Sequence, residues 1–159
     1  MNAALKVFCL DTSALINPWN IFYAPDVAPG YWSGIGRLLA DARVVLSEEV
    51  REEIEKVDDG LRAWARSNVP RWHPLTDDVQ EVVTQVMAAY PRLVDNRSNR
   101  SRADPFVIAT AKVLAATVVT TEGPGSENRP TIPFVCSRMN VDCIGVLPFV
   151  REAGIRLGA

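Results

Sequence analysis

Four short apolar runs, Lys6–Leu10, Arg43–Leu46, Thr117–Thr121 and Val141–Val146, are set apart from one another by stretches of helical character. Each is too short for a helix and is bounded by turn or capping residues, so each reads as a buried strand. Strands that alternate with helices pair in parallel, because a parallel neighbour needs a crossover long enough to hold a helix. The pattern predicts an α/β fold: a three-layer α/β/α sandwich around a central parallel sheet of four or five strands. In such sheets ligands collect beyond the carboxyl ends of the strands. The residues that leave each strand are therefore the ones to inspect.

The helices carry recognisable signals. Ser47 reads as the N-cap of "EEVREEIEKV", and Leu61–Arg66 resumes helix after Gly60. Across Thr76–Ala89, residues Val79, Val82, Val83, Val86 and Met87 share one stripe, the mark of a core-facing helix. A brief helix from Thr12 is expected to stop at Asn17-Pro18. The following "NIFYAPDVAPGYW" is aromatic, proline-punctuated and aperiodic, and reads as an ordered loop before a helix over Tyr31–Leu39. Pro105–Ala116, Pro133–Met139 and Pro148–Ala153 read as helices, and Gly123–Thr131 as a loop.

A chain of 159 residues fits one domain, 1–159. Its 48% hydrophobic and 23% charged residues are ordinary for a globular core, so neither disulfides nor a structural metal are needed for stability. A net charge of −2 argues against a dedicated nucleic-acid coat but not against a local basic patch. Cys9, Cys136 and Cys143 are odd in number and lack C-x-x-C spacing, which suits free thiols in a reducing cytosol. His73 is the sole histidine and no G-x-S-x-G is present, which argues against a Ser-His-Asp triad. No apolar run approaches the ~18 residues of a membrane span. A soluble cytoplasmic protein is the expectation.

The chemistry lies in the acids. In "FCLDTSALI" the first strand exits at Asp11; "TVVTT" exits at Glu122; the helix feeding that strand begins at Asp104-Pro105; and the helix after the second strand is rich in glutamate. If the sheet is parallel, four acidic positions converge on one edge. On the glutamate helix, Val50, Ile54 and Val57 form the buried stripe. Glu53 lies roughly 65–70° from its centre and Glu49 about 105° on the same side, at about 100° per residue. Clustered carboxylates raise one another's pKa unless a cation joins them, and hard oxygen donors suit Mg²⁺ or Mn²⁺. Each acid also has a plainer reading. Asp11 and Asp104 are well placed to cap helices, Glu53 to face solvent, and Glu122 to be a loop residue.

The segments "FCLDTSALI" (Asp11), "VREEI" (Glu53), "ADPFVIATA" (Asp104) and "VVTTE" (Glu122) together resemble the PIN-domain, VapC-like ribonucleases, in order and spacing along essentially the whole chain. "APGYW" and "IPFVC" resemble segments of an uncharacterised PIN-like bacterial subgroup. One departure is Glu122, where PIN toxins usually carry aspartate. The resemblance implies a metal-dependent endoribonuclease, the toxin of a toxin–antitoxin pair, using one or two Mg²⁺ or Mn²⁺ ions. It implies Asp11 and Asp104 as direct ligands, with Glu53 and Glu122 completing the shell partly through water. Thr120 matches the family threonine, Thr12 or Ser13 matches the supporting hydroxyl, and Glu49 stands behind Glu53 as a further acid. An antitoxin and a second copy of the chain are the protein partners it implies.

Arg97, Arg100 and Arg102 in "NRSNRSR" precede Asp104 and could grip RNA phosphates, or form a solvated linker. Trp19, Tyr31 and Trp32 could stack unpaired bases or plug the long loop onto the core. Two other functional classes stay open against the ribonuclease. One is a non-catalytic PIN-like module that binds RNA or protein. The other is a phosphoryl-transfer enzyme with Asp11 as nucleophile, disfavoured by Ser13 where a second aspartate is wanted.

Overall fold

A computed structural model of the chain describes residues 5–57, 59–94 and 102–158. Its sheet has β1 (Phe8–Leu10) between β2 (Val44–Val45) and β3 (Thr117–Val119), with β4 (Cys143–Ile144) outside β3. All pairs are parallel: Phe8 lies opposite Val44 on one side and Thr117 on the other, and Val118 lies opposite Cys143. Four strands are present among the described residues, at the low end of the expected range. Backbone bonding runs one residue past the strands, from Asp11 N–H to Val119 O (2.9 Å) and from Thr120 N–H to Ile144 O (3.1 Å).

Helices cover both faces. The Phe8 ring meets Phe149 of α8 (Val146–Glu152) edge-on at 5.0 Å, and Phe149 meets Tyr31 of α2 (Pro29–Ala40) at 6.3 Å. The next side chain along β1 points the opposite way: the Cys9 thiol donates to Val107 O of α6 (Asp104–Leu114) at 3.7 Å. This is the three-layer α/β/α arrangement. α5 (Asp77–Ala89) lies on α6, burying Val79 and Val83 against Ala109, while Val86 reaches the main core. Thr76 caps α5 by accepting from Val79 N–H (3.3 Å), and Ser47 caps α3 (Glu48–Glu55) by accepting from Val50 N–H (3.4 Å). α4 (Asp59–Asn68) and α7 (Ile132–Arg138) complete the helical layers.

The expected loop after Asn17 is in part helical. α1 (Ser13–Asn17) ends at Asn17 as expected, but Pro18 keeps helical dihedrals (φ −58°, ψ −43°) and opens a π-helical turn, Pro18–Phe22, closed by Tyr23 N–H to Pro18 O (2.8 Å). Likewise α2 starts at Pro29, two residues before the expected Tyr31. Pro29 stands where its missing N–H has no intrahelical partner to lose, and at Pro18 the Ala14 carbonyl that an N–H would reach is taken by the Tyr31 hydroxyl instead. The "APGYW" segment is a packing device. Tyr31 is fully buried with its hydroxyl on Ala14 O (2.8 Å), and Trp32 donates to Tyr23 O (2.7 Å) while touching Trp19 and Trp64. Gly30 N–H donates to Leu157 O (2.8 Å), so closely that a Cβ there would fall 1.6 Å from Arg156 O. Tyr31 and Trp32 thus plug the core and offer no face to a base.

The chain leaves β1 toward β2 on one side and leaves β3 toward β4 on the other, so the connections diverge at the carboxyl ends of the two central strands. Such a divergence opens a crevice, and it is where doubly wound α/β folds hold their ligands. Asp11 and Thr120 are the residues that emerge there.

Candidate metal centre at the strand ends

Asp11 is 2% exposed. Its Oδ2 accepts the Ser13 hydroxyl at 2.5 Å and the Thr120 hydroxyl at 3.0 Å. Its Oδ1 is buried and has no hydrogen-bond partner among the described residues. The side chain does not cap α1: Thr12 holds the cap position, and only the Asp11 carbonyl takes part, accepting from Ala14 N–H (3.0 Å). Burial pushes the Asp11 carboxyl up to about 6; the Glu122 and Glu53 carboxylates add to the rise, and the Ser13 and Thr120 hydroxyls oppose it. A buried oxygen without a partner is costly. Divalent cations are bound through carboxylate oxygens of this type.

The hydroxyls form a small scaffold. Ser13 Oγ accepts from Thr121 N–H (3.0 Å), Thr120 Oγ1 accepts from Glu122 N–H (3.1 Å), and Asn17 Nδ2 donates to Thr121 Oγ1 (2.6 Å). The start of α1 is thereby stitched to the exit of β3, and the Asp11 rotamer is fixed from both. Thr12 donates to Glu53, tying the exit of β1 to α3. Glu49 lies one turn earlier, where burial raises its pKa and Glu48 and Glu52 add to the rise. Of the two helical glutamates, Glu53 is the one whose charge reaches Asp11.

Glu122 also holds the backbone in place, because its Oε2 accepts from Ile132 N–H (2.8 Å) and so closes the 123–131 loop at the start of α7. Asp104 is 1% exposed and is the first helical residue of α6, with Ala103 in the cap position. A carboxylate in the first turn also interacts favourably with the helix dipole. α6 runs back against the strands to feed β3, which sets its N-terminus at their carboxyl ends beside the exit of β1. Arg102 is exposed two residues before Asp104, whereas Arg97 and Arg100 lie outside the described residues. As the side chains stand, no three His, Cys, Asp or Glu among the described residues are grouped closely enough to enclose an ion. The scaffold residues Asn17 and Thr121 escaped sequence reasoning. Asn17 beside Pro18 resembles an ordinary helix stop, and its partner lies 104 residues away.

A separate cleft of about 600 Å³, lined by Val7, Leu39, Val44, Arg71 and His73 among others, opens at the amino ends of the strands, on the far side from these acids. No helix among the described residues is long and apolar enough to cross a membrane.

The family model of a domain of unknown function, DUF4411, matches residues 8–157. The chain belongs to the DUF4411 family. The DUF4411 fold is similar to solved toxin–antitoxin structures. VapBC2 from Rickettsia felis, bound to a DNA fragment from its promoter, shares 12% identity at a TM-score of 0.54, over 88% of this chain and 98% of that one. FitAcB from Neisseria gonorrhoeae shares 16% identity at a TM-score of 0.54, over 89% and 99%. At these identities the likeness is one of fold alone, the PIN-like α/β sandwich with a central parallel sheet. No curated protein sequence matches the chain.

Proposed function

We propose that the chain is a metal-dependent endoribonuclease, a single PIN-like domain acting in the cytoplasm as the toxin of a toxin–antitoxin pair. The observation that carries this reading is the Asp11 carboxylate. It is buried at the topological switch point, oriented by two hydroxyls through one oxygen, and left with its other oxygen unsatisfied beside the charges of Glu53 and Glu122. Asp11 and Asp104 would hold Mg²⁺ or Mn²⁺ directly, with Glu53 and Glu122 completing the shell and Glu49 in reserve. When bound, one or two such ions lower the pKa of an attacking water and offset charge on the phosphate.

The chain's own contribution is placement. Ser13 and Thr120 hold Asp11 in one rotamer, and Thr12 holds Glu53. Arg102, with Arg97 and Arg100, would neutralise RNA phosphates approaching an acidic cleft. The toxin–antitoxin solved neighbours support an antitoxin as a protein partner, and a homodimer is compatible with the same scheme.

The deciding experiment is digestion of a mixed RNA pool with Mg²⁺ or Mn²⁺, with chelator, and with Asp104→Asn. Cleavage that stops with chelator and with the variant is expected; equal cleavage by Asp104→Asn would sink the site assignment. The loose grouping of the acids favours a second reading, a non-catalytic module that binds RNA. RNA binding without cleavage under any divalent metal would establish that alternative.

A further inference from the structure

Beside the acids lies a second feature that metal chemistry does not use. Glu122 opens the 123–131 loop and also receives its return: Thr131 Oγ1 donates to Gly123 O (3.0 Å) and Ile132 N–H to Glu122 Oε2 (2.8 Å). Within the loop, Ser126 N–H donates to Arg129 O (3.1 Å) and Arg129 N–H to Ser126 Oγ (3.2 Å). Gly125 sits so close to the returning strand of the loop that a Cβ would fall 2.6 Å from Arg129 O. The loop is therefore a preformed wall.

Facing it is the end of α5. Tyr90 N–H donates to Val86 O (2.8 Å), Leu93 N–H donates to Tyr90 O (3.0 Å), and Leu93 is fully buried, so this wall is anchored as well. The two walls enclose a cleft of about 230 Å³ lined by Tyr90, Pro91, Arg92, Glu127, Asn128 and Pro130. The Tyr90 ring is steadied by Phe134 at 5.9 Å and 86°, and the Arg138 guanidinium lies 4.9 Å over the Phe134 ring. Arg92, Arg129 and Arg138 are exposed around this surface, and none forms an ion pair among the described residues.

We propose that this cleft takes one unpaired base of a single-stranded RNA, stacked on Tyr90, with Arg92, Arg129 and Arg138 on the flanking phosphates. The assignment of RNA rests on the nuclease reading above; the cleft itself argues for the rest. Its volume is below the roughly 300–1,000 Å³ of pockets for drug-sized ligands, which suits a fragment the size of a base. Base faces stack on aromatic rings in a sequence-tolerant way, and arginines track the backbone between them. Glu127 can accept from an exocyclic amine, and the Asn128 amide can donate or accept along a base edge. A duplex keeps its base faces stacked inside and cannot offer one. One wall of the cleft belongs to the loop that Glu122 opens and closes, so a strand held there would run on toward the acids.

The test uses the full chain in chelator, so that binding is read without cleavage, with a short fluorescein-labelled single-stranded RNA as the probe. Tyr90→Leu is expected to weaken binding about tenfold, the scale of one lost stacking contact. Arg129→Gln, on the exposed loop, is expected to lower the slope of log affinity against log salt by about 0.7. The same RNA annealed into a duplex should bind more weakly than the single strand. Far-UV circular dichroism and melting curves verify the fold, and Arg129→Gln stays informative if Tyr90→Leu is unstable. Wild-type binding by both variants, or equal binding of duplex and single strand, overturns the cleft. If RNA is cleaved with metal while both variants bind as wild type, the cleft falls and the nuclease stands. If binding depends on Tyr90 but no metal supports cleavage, the nuclease falls and the cleft stands.

Discussion

Thr120 Oγ1 donates to Asp11 Oδ2 across 3.0 Å, joining the exits of the two central strands through side chains just where their backbone ladder ends. The same carboxylate oxygen takes Ser13, so both hydroxyl donors converge on Oδ2 and the buried Oδ1 is left for another partner. That division of labour is the origin of the site's testable behaviour.

Asp11→Asn should separate stability from activity. The variant removes a buried charge, so without divalent ions it should be at least as stable as wild type. Mn²⁺ or Mg²⁺ should raise the melting temperature of wild type by mass action, and this rise should vanish in the variant. RNA cleavage should fall by about 100-fold or more, given that the oriented carboxylate is lost from the metal shell. Melting curves with and without metal, alongside gel-based cleavage rates, check all three.

The sign of the pH effect follows from the direction of the Asp11 shift. Its folded value, about 6, lies above the reference value of 3.8, so between those values the folded chain keeps a proton that the unfolded chain gives up. Stability therefore falls as pH rises through that window, and below it Asp11 imposes no penalty. The full cost above pH 6 is about 2–3 kcal/mol by the usual conversion. Urea unfolding of wild type and Asp11→Asn, both stripped of divalent ions, should agree near pH 4 and diverge by pH 7.

Glu122 combines two roles that substitution can part. Glu122→Gln keeps an oxygen acceptor for Ile132 N–H, whereas Glu122→Ala strands that N–H on a fully buried residue. Alanine should cost about 1 kcal/mol or more of stability and glutamine much less. Both should lose cleavage activity. Equal stability of the two variants would remove the proposed closure of the 123–131 loop.

Two glycines of α2 should respond in opposite ways to alanine. Gly30→Ala would drive a methyl into the Arg156 carbonyl and should cost ~3 kcal/mol or more. Gly36→Ala meets only Asn68 Oδ1 at 3.5 Å, an ordinary contact, and should stabilise the helix by about 0.5–1 kcal/mol. Chemical denaturation of the pair reads both.

Strand exits were legible because one carboxylate or hydroxyl after an apolar run is a sharp local change, as at Asp11 and Thr120. Periodicity also carried α5 and ranked Glu53 ahead of Glu49 in facing the strand end, and Glu53 is the one bonded to Thr12. What sequence could not give is set by contacts distant along the chain. Pro29 looks like an interruption until its missing N–H is seen to fall in a first turn, and Pro18 until the Tyr31 hydroxyl is seen to bond the carbonyl it leaves free. Asn17 and Glu122 act on Thr121 and Ile132, partners that no local spacing announces. The capping readings of Asp11 and Asp104 failed by one residue each: Thr12 and Ala103 hold the cap positions, and the Asp11 carboxylate is taken by Ser13 and by the distant Thr120 instead.

The order of the strands in space has a consequence for synthesis. A chain growing from its amino end exposes Asp11 before Thr120, which completes its scaffold and comes 109 residues later. At roughly 5–20 residues per second, the two are separated by on the order of 5–20 s of translation. A nascent chain on the ribosome, the RNA-rich machine that makes it, would thus carry the first acid without the groups that aim it. On the nuclease reading, activity would arise only once the third strand has docked and Thr120 has joined Ser13 on the Asp11 carboxylate.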